Sequence, residues 1–297
     1  MATTIYTQQG KNIRKTWLLM TCFFVMVIAI CYAVAFYLDN PFILYVGVAF
    51  ALIMNVGSYW FSDKLVLSMT NAKPVAKQDA PELYNIVENL AITAGLPMPK
   101  VYIVNDPAPN AFATGRNPEH AVVAVTTGLL SMLNRTELEG VIAHEMSHIG
   151  NRDMLVMTVA VVLAGFVAII ADFFSRALMF GGDRDRHPLF LVFGIVGIIL
   201  APLAAQLMQM AISRKREYLA DASGALLTRY PEGLASALEK ISSYGGQMKS
   251  ASHATAHLFI SDPYGKQNRS IGQKIGALFQ THPPAADRIR LLRSMDV

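Results

Sequence analysis

His144, Glu145 and His148 stand in the order His-Glu-x-x-His inside the apolar run Val141-Ile142-Ala143-His144-Glu145-Met146-Ser147-His148-Ile149-Gly150. Four residues advance an α-helix by about 400°, so histidines at this spacing share one face, a turn apart. Two imidazoles so placed can hold one Zn²⁺, and the adjoining glutamate is set to take a proton from a water that the metal activates. A hydrolytic zinc centre needs a third protein ligand and an open position for water. The strongest candidate for that ligand is Glu217, in Glu217-Tyr218-Leu219-Ala220-Asp221. Asp221 falls one turn beyond it, where it can accept a hydrogen bond from the free N–H of a ligand imidazole and fix its tautomer. Taken alone, Glu217 is a surface residue favoured by a helix dipole; taken with His-Glu-x-x-His, it reads as a ligand.

The other candidates are less constrained. His282 precedes Pro283-Pro284, whose rings fix the local backbone. Three roles stay open for it: stabilising a tetrahedral oxyanion, filling the open metal position in a resting state, or serving as an ordinary turn residue. Arg288 reads as an anchor for a buried carboxylate. His253 and His257 repeat the i, i+4 spacing but lack an adjoining glutamate, so a structural role is expected. His120 and His187 read as surface residues.

The elements that position these residues are set in an apolar chain. Of 297 residues 53% are apolar, and the mean hydropathy is +0.37. The excess falls in four blocks, which predicts a multi-pass α-helical membrane protein with about four spans, at 17–38, 42–61, 154–175 and 189–212. Asp172 and Arg176 at i, i+4 read as an ion pair near a helix end, and Pro202 as a kink; both leave open whether spans three and four cross fully. The net charge of +4 belongs to the Lys and Arg flanking the spans, and no basic, aromatic-interleaved patch points to nucleic acid. Cys22 and Cys31 lie in one apolar run, about 13 Å of helical rise apart, beyond disulfide reach.

Four segments follow: 1–61, an arm and a transmembrane hairpin; 62–153, the first half of a water-soluble domain; 154–212, a second hairpin; and 213–297, the second half with Glu217. Within the first half, Asp79-Ala80-Pro81-Glu82 predicts a capped helix start and Gly95 its stop. Val101–Val104 and Ala121–Val125 read as strands. Thr136 with Glu139 predicts a capping box for the helix carrying the histidines. Helical patterns recur at Glu217–Leu227, Pro231–Ser243 and Asp287–Met295. Lys11, Arg14, Lys15, Lys64, Lys73, Arg214, Lys215 and Arg216 concentrate on one side, so the positive-inside rule places both termini and the active site in the cytoplasm.

The chain resembles the HtpX-type membrane zinc proteases, gluzincins related to CaaX prenyl proteases. The resemblance covers nearly the whole sequence and rests on the paired spans, Asn110-Ala111-Phe112-Ala113, His144-Glu145-Met146-Ser147-His148, Glu217-Tyr218-Leu219-Ala220-Asp221, Ala256-His257-Leu258-Phe259 and Thr281-His282-Pro283-Pro284 with Arg288-Ile289. It implies a split α+β gluzincin domain and an ATP-independent endopeptidase of the cell membrane. Its substrates would be unfolded or damaged membrane proteins. It also implies one Zn²⁺ per chain on His144, His148 and Glu217, with Glu145 as general base. Asn110 and Ala111 would lie on an edge strand that holds substrate by β-augmentation. No glycine falls in a phosphate-loop pattern, so no nucleotide is expected as a partner. Two rival readings remain, a prenyl-protein endopeptidase of the same chemistry and a non-hydrolytic membrane adaptor or transporter with a structural zinc.

Overall fold

The computed structural model describes residues 5–37, 39–163, 165, 214–250, 255–263 and 283–296. Two compact units emerge. One contains Met1–Ile13, Asp63–Thr158 and Ile212–Val297; the other contains Arg14–Ser62 and Val159–Ala211.

The second unit, where described, is dominated by α2 (Phe42–Trp60) and by α1 (Ile5–Tyr37) from Arg14 onward. Gln9–Phe36 and Phe42–Trp60 are both long and apolar enough to cross a membrane. Leu18, Val25, Phe36, Ile53 and Val56 lie exposed along them, an arrangement that costs free energy in water and none in hydrocarbon. The two helices approach closely where Gly47 meets Cys31: a Cβ on Gly47 would collide with the Cys31 side chain. Trp17 stacks on Tyr59 at 6.5 Å. The helix α1 starts well before the expected Trp17, because the polar arm continues the same helix toward the N-terminus. The apolar helix α7 (Asp153–Leu163) opens the third block. The rest of spans three and four, with Asp172, Arg176 and Pro202, lies outside the described residues.

In the first unit, α3 (Ser62–Met69), which no apolar periodicity announced, leads through β1 (Lys73–Pro74) to α4 (Pro81–Ala94). The helix α4 has Pro81 in its first turn, and its N-cap is Ala80 with no side-chain hydrogen bond. The expected cap at Asp79 is thus replaced by a proline start, which leaves one orphan N–H fewer to satisfy. Gly95 ends the helix at φ +64°, a left-handed conformation that other residues resist. Leu83, Ile86, Val87 and Leu90 bury one face, each contributing roughly 1.5–3 kcal/mol of apolar transfer.

The strands β2 (Lys100–Val104), β3 (Ala111–Thr114) and β4 (Val122–Thr126) join β1 in a mixed sheet of order β1-β2-β4-β3. Strands β2 and β4 are parallel, and β3 runs antiparallel to β4 at the sheet edge. Ala111, Ala113, Val123 and Val125 face the main core, while Phe112 on the other face meets Phe259 edge-on at 5.3 Å. A short helix α5 (Thr127–Met132) leads into α6 (Arg135–Gly150).

The helix α6 carries the His-Glu-x-x-His residues through the middle of this unit. Its capping box is formed by Asn134 and Glu137, not by Thr136 and Glu139. The true box sits one residue pair upstream, and Thr136 instead donates its hydroxyl to the Asn134 side chain at 2.8 Å. Glu137 also receives Lys240 at 2.8 Å, which ties the helix start to α9 (Pro231–Ser243). Leu138, Val141, Ile142, Ala143, Met146 and Ile149 are all buried, so α6 is enclosed on every side, as a helix without a polar face must be. It packs against α4, β3, α8 (Arg214–Thr228) and α9. The last helix, α10 (Ala285–Arg293), lies on α9 and α8.

Candidate metal centre

The position of α8 against α6 is fixed by a glycine. A Cβ on Gly224 would lie 3.0 Å from the backbone nitrogen of His144 and 3.2 Å from the carbonyl carbon of Ala143. That closeness brings the first turns of α8 alongside the second half of α6. The result is a buried cluster in which the ligand atoms of His144, His148 and Glu217 all lie within 4.8 Å of one another.

Within the cluster the two Nε2 atoms face each other at 3.1 Å. Glu217 places Oε2 3.7 Å from Nε2 of His144 and Oε1 3.6 Å from Nε2 of His148. Tetrahedral ligand atoms, each about 2.0–2.2 Å from the metal, stand roughly 3.3 Å apart, so these separations suit one small divalent ion.

Both histidines are oriented from behind. Nδ1 of His144 meets Asp221 at 3.0 Å, and Nδ1 of His148 meets Asp153 at 3.1 Å. A neutral imidazole with its proton on Nδ1 directs a lone pair from Nε2. The donor set is therefore two imidazole lone pairs and a carboxylate converging on one point, which a divalent cation satisfies.

Each supporting carboxylate is in turn balanced by a buried arginine. Arg288 donates Nε to Oδ2 of Asp221 at 2.8 Å and a terminal N–H to Oδ1 at 2.6 Å, and it reaches the carbonyl of Ile260 at 3.2 Å. The Nε atom of Arg216 stands 2.9 Å from Oδ1 of Asp153. Asp153 went unnoticed in the sequence, and Arg216 reads there only as a charge flanking a span. The available signal was a lone carboxylate one turn past His148, at the mouth of an apolar run where an uncompensated charge is costly.

Burial lowers His144 to about 4, against its hydrogen bond to Asp221. Burial also opposes the charge on His148, but the hydrogen bond to Asp153 and the charge of Glu217 outweigh it and raise this group to about 9. Burial pushes Asp221 upward, yet Arg288 overrides it and holds the carboxyl at about 2.

Glu145, 2% exposed, follows His144 on α6. Burial raises its carboxyl to about 7, with His148 opposing and Glu217 reinforcing the rise, and the backbone N–H of Ala113 donates to it. Strand β3 therefore runs beside Glu145. Asn110 exchanges hydrogen bonds with Thr126 of β4 at 2.9 Å. The alternation of an antiparallel pair then leaves Ala111 and Ala113 facing away from β4. The Asn110 side chain accepts from Ser261 N–H at 3.2 Å and donates to its carbonyl at 3.0 Å, while Ile260 N–H donates to the carbonyl of Ala111 at 3.0 Å. Asn110 and Ala111 thus lie at the sheet edge, but a stretch of the chain's own backbone lies along them. His253, His282 and the side chain of His257 lie outside the described residues.

Residues 77–296 match the family described as Peptidase family M48. The chain belongs to that family. It is 45% identical to the protease HtpX homolog of Caldanaerobacter subterraneus subsp. tengcongensis, over 99% of both chains. It is 54% identical to the protease HtpX homolog of Pyrococcus furiosus, over 82% of this chain and 84% of that one. Among solved structures, that of S. mikatae Ste24p aligns with a TM-score of 0.51 at 17% identity, covering 97% of this chain and 67% of the other; this likeness concerns the fold. This M48 member is a membrane-associated metalloprotease, and its substrates are peptides or proteins.

Proposed function

We propose that the protein is a zinc endopeptidase of the cell membrane that cleaves misfolded or damaged membrane proteins without ATP. The observation that carries this reading is the buried convergence of His144, His148 and Glu217 next to Glu145 and beside an edge strand. In it one zinc per chain is held by Nε2 of His144, Nε2 of His148 and the Glu217 carboxylate. When bound, zinc supplies Lewis acidity toward a water and toward the scissile carbonyl. Asp221 and Asp153 hold the two imidazoles in the tautomer that ligation needs, and Arg288 and Arg216 pair with those carboxylates from behind. Glu145 takes a proton from the attacking water and passes it to the leaving amine. A carboxyl raised toward neutrality by burial suits that exchange.

The substrate backbone pairs with the outward edge of β3 at Asn110–Ala113, which requires the Ile260 amide to release the Ala111 carbonyl. In this reading four spans carry a split gluzincin domain, with both termini and the active site in the cytoplasm. His282, outside the described residues, keeps the three roles of oxyanion donor, resting-state ligand or ordinary turn residue.

The test is Glu145→Gln in the full chain reconstituted in lipid. The variant should retain zinc and lose cleavage of an unfolded membrane substrate by at least about a hundredfold, the general-base contribution being on the order of 10²–10⁴. Cleavage at the wild-type rate would overturn the mechanism. The wild-type protein should lose activity to a chelator and regain it on zinc addition, with no response to ATP.

A further inference from the structure

The two ligand histidines are supported differently, and the difference leads to the N-terminal arm. Asp221, behind His144, receives two bonds from a single guanidinium. Asp153, behind His148, is fully buried and is paired with Arg216, whose Nε stands 2.9 Å from Oδ1. Asn12 also reaches it: its side-chain amide donates to Oδ1 of Asp153 at 2.6 Å. The same amide nitrogen donates its other proton to the carbonyl of Asn151 at 2.9 Å. Asn12 is itself fully buried, although it stands in a polar arm and is 141 residues from Asp153 in sequence.

One turn earlier on the same face of α1, Gln9 donates to the carbonyl of Gly150 at 2.7 Å. Both carbonyls belong to the last turn of α6, where a helix leaves four acceptors without partners. Gln9 only caps that turn. Asn12 caps it and also grips the carboxylate that orients His148. With Oδ1 taken by Asn12 and Arg216, Oδ2 is left to face Nδ1 of His148 at 3.1 Å.

We propose that Asn12 is a positioning residue of the metal centre, acting through Asp153 on His148. The cytoplasmic start of α1 is then a working part of the catalytic apparatus as well as the lead-in to a membrane span. Residues that orient a metal ligand from behind usually carry 10- to 100-fold in metal affinity. The inference rests on the reading of His144, His148 and Glu217 as the zinc ligands.

The experiment is a zinc titration of the purified full chain in detergent against a chromophoric chelator. Asn12→Ala should weaken zinc binding about tenfold, whereas Gln9→Ala should leave it within about twofold of wild type while lowering thermal stability. In an Asp153→Asn background, Asn12→Ala should produce no further loss, because its path to His148 is already cut. Wild-type zinc affinity in a folded Asn12→Ala protein would overturn the proposal. So would an equal loss in Gln9→Ala, which would reduce Asn12 to an anchor for the helix. If Asn12→Ala does not fold, Asn12→Asp takes its place: it keeps the volume but offers Asp153 an acceptor, and unaltered zinc binding in it overturns the proposal equally. A wild-type chain that binds no zinc would instead refute the metal-site reading itself.

Discussion

Arg288 shows how much of the metal centre is settled by charges that never touch the metal. Its guanidinium is buried and holds Asp221 through two short bonds. Removing one partner of a buried pair leaves the other uncompensated, at a cost on the order of 3–5 kcal/mol. Arg288→Ala should therefore lower the unfolding free energy by about that amount in urea titrations. Arg288→Lys should recover only part of it, since an ammonium cannot span both carboxylate oxygens. The pair also predicts an acid dependence. Asp221 is held at about 2 against an ordinary value of 3.8. Its contribution is complete above pH ~4 and is lost as pH falls through about 2, an effect on the order of 2 kcal/mol. With chelator present, wild-type stability should fall more steeply across that window than that of Asp221→Asn.

At the scale of elements, the site depends on how closely α8 and α9 approach α6. A Cβ on Gly140 would stand 2.5 Å from the backbone nitrogen of Leu234 and 2.8 Å from its Cα, atoms that cannot swing away. Alanine gains about 1 kcal/mol over glycine in a helix, but overpacking against backbone costs about 1–3 kcal/mol or more. Gly140→Ala should be destabilising in chemical denaturation. At Gly224 the nearest contacts are 3.0 and 3.2 Å, so strain and helix propensity nearly cancel. Gly224→Ala should leave stability within about 1 kcal/mol of wild type, yet weaken zinc binding in the same chelator assay. The reason is that Glu217 and Asp221 ride on α8 and must shift with it. A variant with unchanged zinc affinity would show that α8 can adjust without moving those carboxylates.

For the molecule as a whole, the three proposed ligands and Glu145 come from two stretches of chain, His144, Glu145 and His148 on α6 and Glu217 on α8, with residues 164–213 between α7 and α8. The proposed topology sends that intervening stretch through the membrane and back. A reporter enzyme fused at Gly182 should then read out on the side opposite the termini, and a cytoplasmic readout would refute the four-span arrangement. The same topology places the metal centre close to the bilayer surface, since α7 turns apolar within a few residues of His148.

The sequence by itself determined whatever is governed by local spacing. The shared face of His144 and His148, the two long apolar helices, the stop at Gly95 and the helix carrying Glu217 and Asp221 all follow from periods of 3.6 residues or from single-residue backbone preferences. The tertiary structure decided everything that depends on which distant group arrives. It moved the capping box to Asn134 and Glu137, where Lys240 could join it. It also laid Ile260 and Ser261 along the edge at Asn110 and Ala111. It supplied His148 with Asp153, Arg216 and Asn12, three polar residues from separate stretches of chain. No periodicity encodes such partners. A buried charge can take its counterpart from any part of the chain that folding brings within about 3 Å, and only the packed structure selects which one.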